Sequence, residues 1–169
     1  MAVCMTHNIA LFKIDAKTGK LIELLKFQAD FATPDASVNH CTLSYDNTLL
    51  ATGGDDSTIR IFTLAKDFKA VEDKIELKAA TMAITCLDIN RDNTVMVATS
   101  KDSFAYLIDL SHKQMGKIKP QVLQKLSFKN QPTAKSMMMR SCIIRRDNSV
   151  YTLAQMPQQP SYLILWSPQ

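Results

Sequence analysis

The sequence predicts an all-β fold made of repeated short-strand units, and three observations carry that prediction. Apolar residues fall in brief runs such as Ile59-Arg60-Ile61 and Leu163-Ile164-Leu165, bounded by Gly, Asp, Asn, Ser or Pro. No convincing stretch of about 12 residues places apolar side chains at i, i+3, i+4 and i+7, the spacing of a helix that faces a core. One strand-turn-strand unit also recurs along the chain.

In chain order, Thr6-His7-Asn8 leads into Ile9-Ala10-Leu11-Phe12, and Leu21 to Phe27 reads as a further strand by its length and flanks. The first full unit runs from Cys41 through the turn Asp46-Asn47-Thr48 into Leu49-Leu50-Ala51-Thr52. The second runs from Leu87 through Asp92-Asn93-Thr94 into Val95-Met96-Val97-Ala98, a step of 46 residues (92 − 46). The third runs from Cys142 through Asp147-Asn148-Ser149 into Val150-Tyr151-Thr152-Leu153, a step of 55 (147 − 92). Asn and Asp serve such turns because they tolerate a left-handed backbone and bond their own main chain. Each unit continues through a second turn into a third strand. Gly53-Gly54-Asp55-Asp56-Ser57-Thr58 precedes Ile59 to Phe62, Ser100 to Ser103 precedes Phe104 to Asp109, and Gln158-Gln159-Pro160 precedes Ser161 to Trp166. Strand-turn-strand units repeating every 45 to 55 residues or so have the period of propeller blades.

Composition excludes several classes. The 169 residues are 46% hydrophobic and 21% charged, which is globular rather than disordered or collagen-like usage. Aromatic residues make up 7%, thin material for an aromatic-lined groove. The net charge of +4 is mild and dispersed, with Arg145-Arg146 the densest basic pair, so no nucleic-acid partner is expected. The start of the chain lacks a signal-peptide pattern, and no apolar run reaches the roughly 18 residues that cross a bilayer. Cys4, Cys41, Cys86 and Cys142 form no C-x-x-C pair, which argues against a metal site. All four are expected to be buried free thiols in a reducing compartment.

Possible chemical sites are weak. His7, His40 and His112 lie in different units and read as surface or turn histidines. Asp55-Asp56 reads as a turn rather than an acid-base couple, and Gly53-Gly54 lacks the Lys-Ser or Lys-Thr of a phosphate loop. Met137-Met138-Met139 reads as strand and core filling, and Arg140, Arg145 and Arg146 as solvated strand-end charges. No nucleophile, base and oxyanion set assembles, so no enzyme activity, catalytic residue or bound metal is expected.

The segment Asn47 to Phe62 resembles a WD repeat, in which a turn Asp precedes the strand-ending Trp by six positions. Asp56 to Phe62 and Asp102 to Ile108 keep that spacing, and Trp166 is the single Trp. No Gly-His pair precedes the units, and Pro160 stands where the last turn Asp would be, so most of the family's hydrogen-bonded tetrad is missing. Structural turn positions are thus Asp46, Asn47, Asp56, Asp92, Asn93, Asp102, Asp147 and Asn148, and the blade-end strand positions are Phe12, Phe62, Ile108 and Trp166.

Gln28-Ala29-Asp30-Phe31 leading through Cys41 into Asp46 to Gly54, together with Pro157 to Trp166, resembles the Sec-twelve / prolactin regulatory element-binding protein family. The resemblance is strong over residues 28–62 and thin elsewhere. It implies a WD-repeat-like β-propeller of seven blades, of which about three and a half lie here: 1–31 the end of a blade, 38–77 and 84–128 blades, 138–166 an incomplete blade. The implied function is guanine-nucleotide exchange on a Sar-type GTPase for COPII assembly, at the cytosolic face of the endoplasmic reticulum. A C-terminal membrane anchor outside this segment is also implied. The implied cofactor is a potassium ion in a glycine-rich exchange loop. Ala16-Lys17-Thr18-Gly19 carries part of that loop's pattern, but it follows Phe12-Lys13-Ile14 and lacks the preceding glycines, so it reads as a hairpin turn. The chain is therefore expected to begin partway into a blade after the exchange loop, and to hold no cofactor. The alternative to an exchange factor is a generic WD-repeat scaffold for protein-protein interaction. Self-association through exposed blade faces is a further expectation.

Overall fold

A computed structural model describes residues 2–5, 7–28, 36–127, 138–145, 147, 149–155 and 162–166. Asn148, Arg146, Met137, Ala29 to Phe31 and residues 156–161, with Pro157 and Pro160, lie outside the described residues. The described residues form strands and turns with no helix, hence none long and apolar enough to cross a membrane.

Among the described residues four antiparallel sheets of three or four strands follow one another along the chain, with one separate two-stranded sheet. The first holds β1 (Ala2–Met5), β2 (Asn8–Ile14) and β3 (Leu21–Gln28). The second holds β4 (Val38–Leu43), β5 (Leu49–Gly54), β6 (Ile59–Leu64) and β7 (Val71–Leu77). The third contains β8 (Ile84–Ile89), β9 (Val95–Ser100), β10 (Ala105–Asp109) and β13 (Gln121–Leu126), with the small hairpin β11 (Lys113–Gln114) and β12 (Lys117–Ile118) inserted before its last strand. The fourth holds β14 (Met138–Ile144), β15 (Val150–Gln155) and β16 (Tyr162–Trp166). Each sheet meanders, so strands pair in sequence order. The first strands of the last three sheets, β4, β8 and β14, lie side by side, which fans the sheets about one axis.

Burial explains this arrangement. Strands β5 and β9 are covered on both faces, as befits the middle of a sheet packed between neighbours. β7 alternates half-buried and exposed residues, the pattern of an outer strand with one face in water. Between the second and third sheets lies a core of Ile59, Ile61, Ile84, Leu87, Met96 and Tyr106. Ile9, Leu11, Leu50 and Phe62 fill the space between the first and second, with Phe27 edge-on to Phe62 at 5.0 Å between ring centres. Cys86, Val97, Cys142, Ile144 and Val150 join the third and fourth.

The expectation of four free thiols requires correction. Cys4 on β1 and Cys41 on β4 are joined as a disulfide between the first two sheets, while Cys86 and Cys142 are free and buried. The sequence hid the pairing because 37 residues separate the partners, and only the packing of one sheet on the next brings them together.

Candidate functional site: the turn face of the sheets

In a meandering sheet the first-to-second and third-to-fourth connections emerge at the same end. Here that end collects the turns Ser44–Leu49, Asn90–Val95 and Arg145–Ser149 and the hairpins that follow β6 and β10; the hairpin that follows β2 joins them, since Lys13 and Ile14 line one groove with Asn47 and Lys66.

Asp46 binds its own turn, accepting hydrogen bonds from the Thr48 N–H at 3.1 Å, the Thr48 hydroxyl at 2.8 Å and the Ser44 hydroxyl at 2.7 Å. Burial pushes its carboxyl up, but these donors outweigh that and leave it below the usual range. Asn47 follows with φ 58°, a left-handed position that Asn accepts at little cost. Asn93 repeats that φ, but Asp92 beside it is exposed, and the bonding of this turn passes to Asn90. The Asn90 side-chain oxygen accepts from the N–H groups of Thr94 and Val95. Asp147 accepts from the N–H and hydroxyl of Ser149. Adjacent turns are also linked, since the Tyr45 N–H donates to the Asn93 side-chain oxygen at 2.8 Å and Arg91 lies 5.2 Å from the Tyr45 ring centre. Tyr45 is 67% exposed, so it presents a rigid aromatic surface to solvent.

Beside these turns, between the first and second sheets, opens a groove of about 530 Å³. Its floor is apolar (Leu11, Phe12, Leu24, Leu43 and Phe68), and Lys13, Lys66 and Asp67 stand at its mouth. Asp15 holds the neighbouring hairpin, accepting from the Lys17 N–H and the Thr18 hydroxyl, and Gly19 takes φ +68°. The string Ala16-Lys17-Thr18-Gly19 is thus the connection between β2 and β3.

The opposite end carries the other turn aspartates. Asp56 accepts from the Thr58 N–H at 3.2 Å and pairs with Arg60 at 2.6 Å, both side chains under 5% exposed. Asp55 accepts from Ser37 and Asn39. Asp102 accepts from the Phe104 N–H, the Thr81 N–H and, at 2.6 Å, the Tyr106 hydroxyl. Of the blade-end positions, Phe62 and Ile108 are core, Phe12 lines the groove, and the Trp166 indole N–H donates to the Thr152 hydroxyl at 3.0 Å. Gly53 is a packing glycine, because an added Cβ would sit 2.7 Å from Ile84 Cβ.

His40 departs from the surface reading given to it. Its ring is half-buried against β8, with Nδ1 3.3 Å from the Leu87 N–H and Nε2 3.8 Å from Cys86 Sγ. No spacing rule points to it, although His40 and Cys86 are 46 residues apart, which is one repeat step. His112 is exposed and His7 lies in the β1–β2 turn.

The profile of the WD domain, G-beta repeat, matches residues 25–63 and 73–109. Each match starts on or near the outer strand of one sheet and ends on the third strand of the next, so the sequence repeat is offset from the sheet by one strand. The chain folds as part of a WD-repeat β-propeller. A solved structure titled "Crystal Structure of Mitotic Checkpoint Complex" contains a similar chain, with a TM-score of 0.62 at 13% identity. The alignment covers 98% of this propeller segment and 42% of that chain, so the segment spans under half its length. Since 816 solved chains match, the likeness is to an architecture rather than to one complex. No curated protein matches the chain. These matches support the WD-repeat fold and lend no support to the Sec-twelve assignment.

Proposed function

We propose that the segment is a protein-interaction scaffold, non-enzymatic, that holds a partner's extended segment in the groove between its first two blades. The observation that carries this reading is the groove itself, with its apolar floor of Leu11, Phe12, Leu24 and Phe68 and its mouth of two lysines and one aspartate. A rigid sheet scaffold with loops on its rim suits such recognition, because the scaffold bears the ordering cost before the partner arrives. The chemistry selects an apolar or aromatic anchor flanked by carboxylates that pair with Lys13 and Lys66. WD repeats as a class mediate protein-protein contact, and the similar chain comes from a structure of a complex, which supports the same reading.

Selection from a displayed random-peptide library tests it. Peptides with an apolar anchor beside acidic residues are expected to enrich, and Lys13→Glu with Lys66→Glu, both exposed, is expected to abolish the enrichment without lowering the melting temperature. Enrichment that ignores this double variant, or no enrichment, overturns it.

The exchange-factor reading, with its Sar-type partner, endoplasmic-reticulum location and potassium-bound loop, rests on the sequence resemblance alone. Under that reading the segment retains rim contacts but no exchange loop, so it leaves release of fluorescent nucleotide from a Sar-type GTPase unaccelerated. Lys17→Ala then changes nothing measurable. Potassium-dependent acceleration abolished by Lys17→Ala would show instead that the Asp15–Lys20 hairpin is the loop.

A further inference from the structure

Over the whole chain the net charge of +4 is mild, but it is not evenly spread. From Leu110 to Arg146 the sequence carries nine Lys and Arg and no Asp or Glu, so the other residues together are net negative. Such asymmetry points to an anionic partner for the surface that the basic run covers. The run opens with a hairpin that the third sheet can close without. β10 and β13 pair directly with each other, and β11–β12 is inserted between them at the turn end.

This hairpin is held at its base and bare at its apex. The Lys119 N–H donates to the His112 carbonyl at 2.8 Å, which closes the base. Ile118 packs against the core between the second and third sheets, and Lys117 Nζ reaches Asp73 on β7 at 3.0 Å. Lys113 and Lys119 are exposed, and among the described residues neither has an ion pair. At the apex Met115 takes φ 52° and Gly116 φ 79°, the two left-handed positions of a two-residue hairpin turn. Asn or Asp suits the first of these, whereas a long side chain there works against its own backbone preference. Met115 is also 97% exposed, so its thioether gains no packing in return. A residue that serves neither the turn nor the core, on an element otherwise firmly held, marks a functional position.

We propose that the β11–β12 hairpin docks the third blade on an anionic lipid surface, with Met115 entering the headgroup layer and Lys113 and Lys119 pairing with lipid phosphates. Shape and chemistry both favour this partner. The apex of a two-residue turn is convex and offers one apolar side chain, which a lipid interface takes up without a matching pocket. Long lysine stems keep their charges at the phosphates while the thioether goes deeper. An ordered phosphate or polynucleotide site favours the planar fork of Arg and stacked aromatic rings. The hairpin from His112 to Lys119 contains no Arg, Phe, Tyr or Trp. None of its residues lines the groove between the first and second sheets, so the two surfaces are separate.

Sedimentation with lipid vesicles tests this on the 169-residue chain. The chain is expected to pellet with vesicles of phosphatidylcholine and phosphatidylserine mixed at about two to one, and to stay in solution with phosphatidylcholine alone. Lys113→Gln with Lys119→Gln should lower the partition coefficient about 25-fold, at roughly fivefold for each lysine near an anionic surface. Met115→Asn should lower it by about tenfold, the effect of withdrawing one partly buried apolar side chain. Its melting temperature should hold or rise, because Asn suits the turn better than Met. That pairing of readouts separates docking from folding. Equal binding to both kinds of vesicle, or binding to neither, overturns the proposal. So does vesicle binding that either variant leaves unchanged, or a lower melting temperature in Met115→Asn, which would make Met115 structural. Retention on duplex DNA or polyglutamate without vesicle binding would assign the lysines to another polyanion and overturn it as well.

Discussion

Asp56 and Arg60 show how a short turn can govern a blade. Their ion pair is closed to solvent, with 3% and 4% of the two side chains exposed, and Glu76 meets the same guanidinium at 3.2 Å. Burial alone disfavours the charged guanidinium, yet the two carboxylates together hold it above its ordinary value. Removing one member of such a pair strands the other charge away from water, a loss of about 3–5 kcal/mol, whereas replacing both with apolar groups is close to neutral. Asp56→Ala is expected to fall near the lower end, because Glu76 remains, and Asp56→Ala with Arg60→Leu to recover most of the loss. Equal denaturation midpoints for Asp56→Ala and the unsubstituted chain would remove the turn from the stability of this blade. Asp102 adds a pH signature. Burial pushes its carboxyl up, but the Tyr106 hydroxyl and the Thr81 N–H outweigh burial and leave it lowered. A lowered carboxylate stabilises the fold above its unfolded value near 3.9, and that contribution is lost as pH falls through the folded value. Tyr106→Phe is therefore expected to cost about 1–2 kcal/mol at pH 7 and progressively less below about pH 4, read from urea midpoints. A cost that stays constant with pH would dissociate Tyr106 from the Asp102 charge.

At the scale of strands, legibility followed the range of the interaction. The Asp46-Asn47 turn could be read because its bonds close within a few residues and its φ of 58° selects Asn. The strands could be read because burial on two faces leaves short apolar runs, as in Leu49-Leu50-Ala51. The equivalence of Asp92 to Asp46 misled, because the alignment fixed the letter while the bonding moved two residues back to Asn90. His40 with Cys86 and Cys4 with Cys41 were illegible, since each pair meets only when one sheet packs on the next. Gly53 was read as part of a turn string, and its value lies in blade spacing. An alanine Cβ there would press on Ile84 and Leu87 across the interface. Gly53→Ala is expected to cost about 1–3 kcal/mol, the range of overpacked cores. An unchanged melting temperature would mean that the second and third blades can move apart without loss.

The whole molecule poses a problem of edges. Among the described residues β16 pairs with β15 on one side, and its Leu163 and Leu165 are 72% and 56% exposed. Far along the fan, Leu21 and Ile22 of β3 are about half exposed as well. A strand edge offers a row of unsatisfied N–H and C=O groups, and apolar side chains beside it make pairing with another copy favourable. Two β16 strands meeting antiparallel would bury both leucines of each copy in one self-complementary contact, which closes as a dimer rather than a fibre. The segment alone is therefore expected to sediment as a dimer at about tens of micromolar. Leu163→Lys with Leu165→Lys should return it to a monomer, since lysines on an edge oppose pairing, and the core should keep its melting temperature because neither leucine is buried. If the double variant sediments as the parent does, association runs through another face, with β3 the next to substitute. If the parent is a monomer across the whole range, the β16 edge is harmless as it stands.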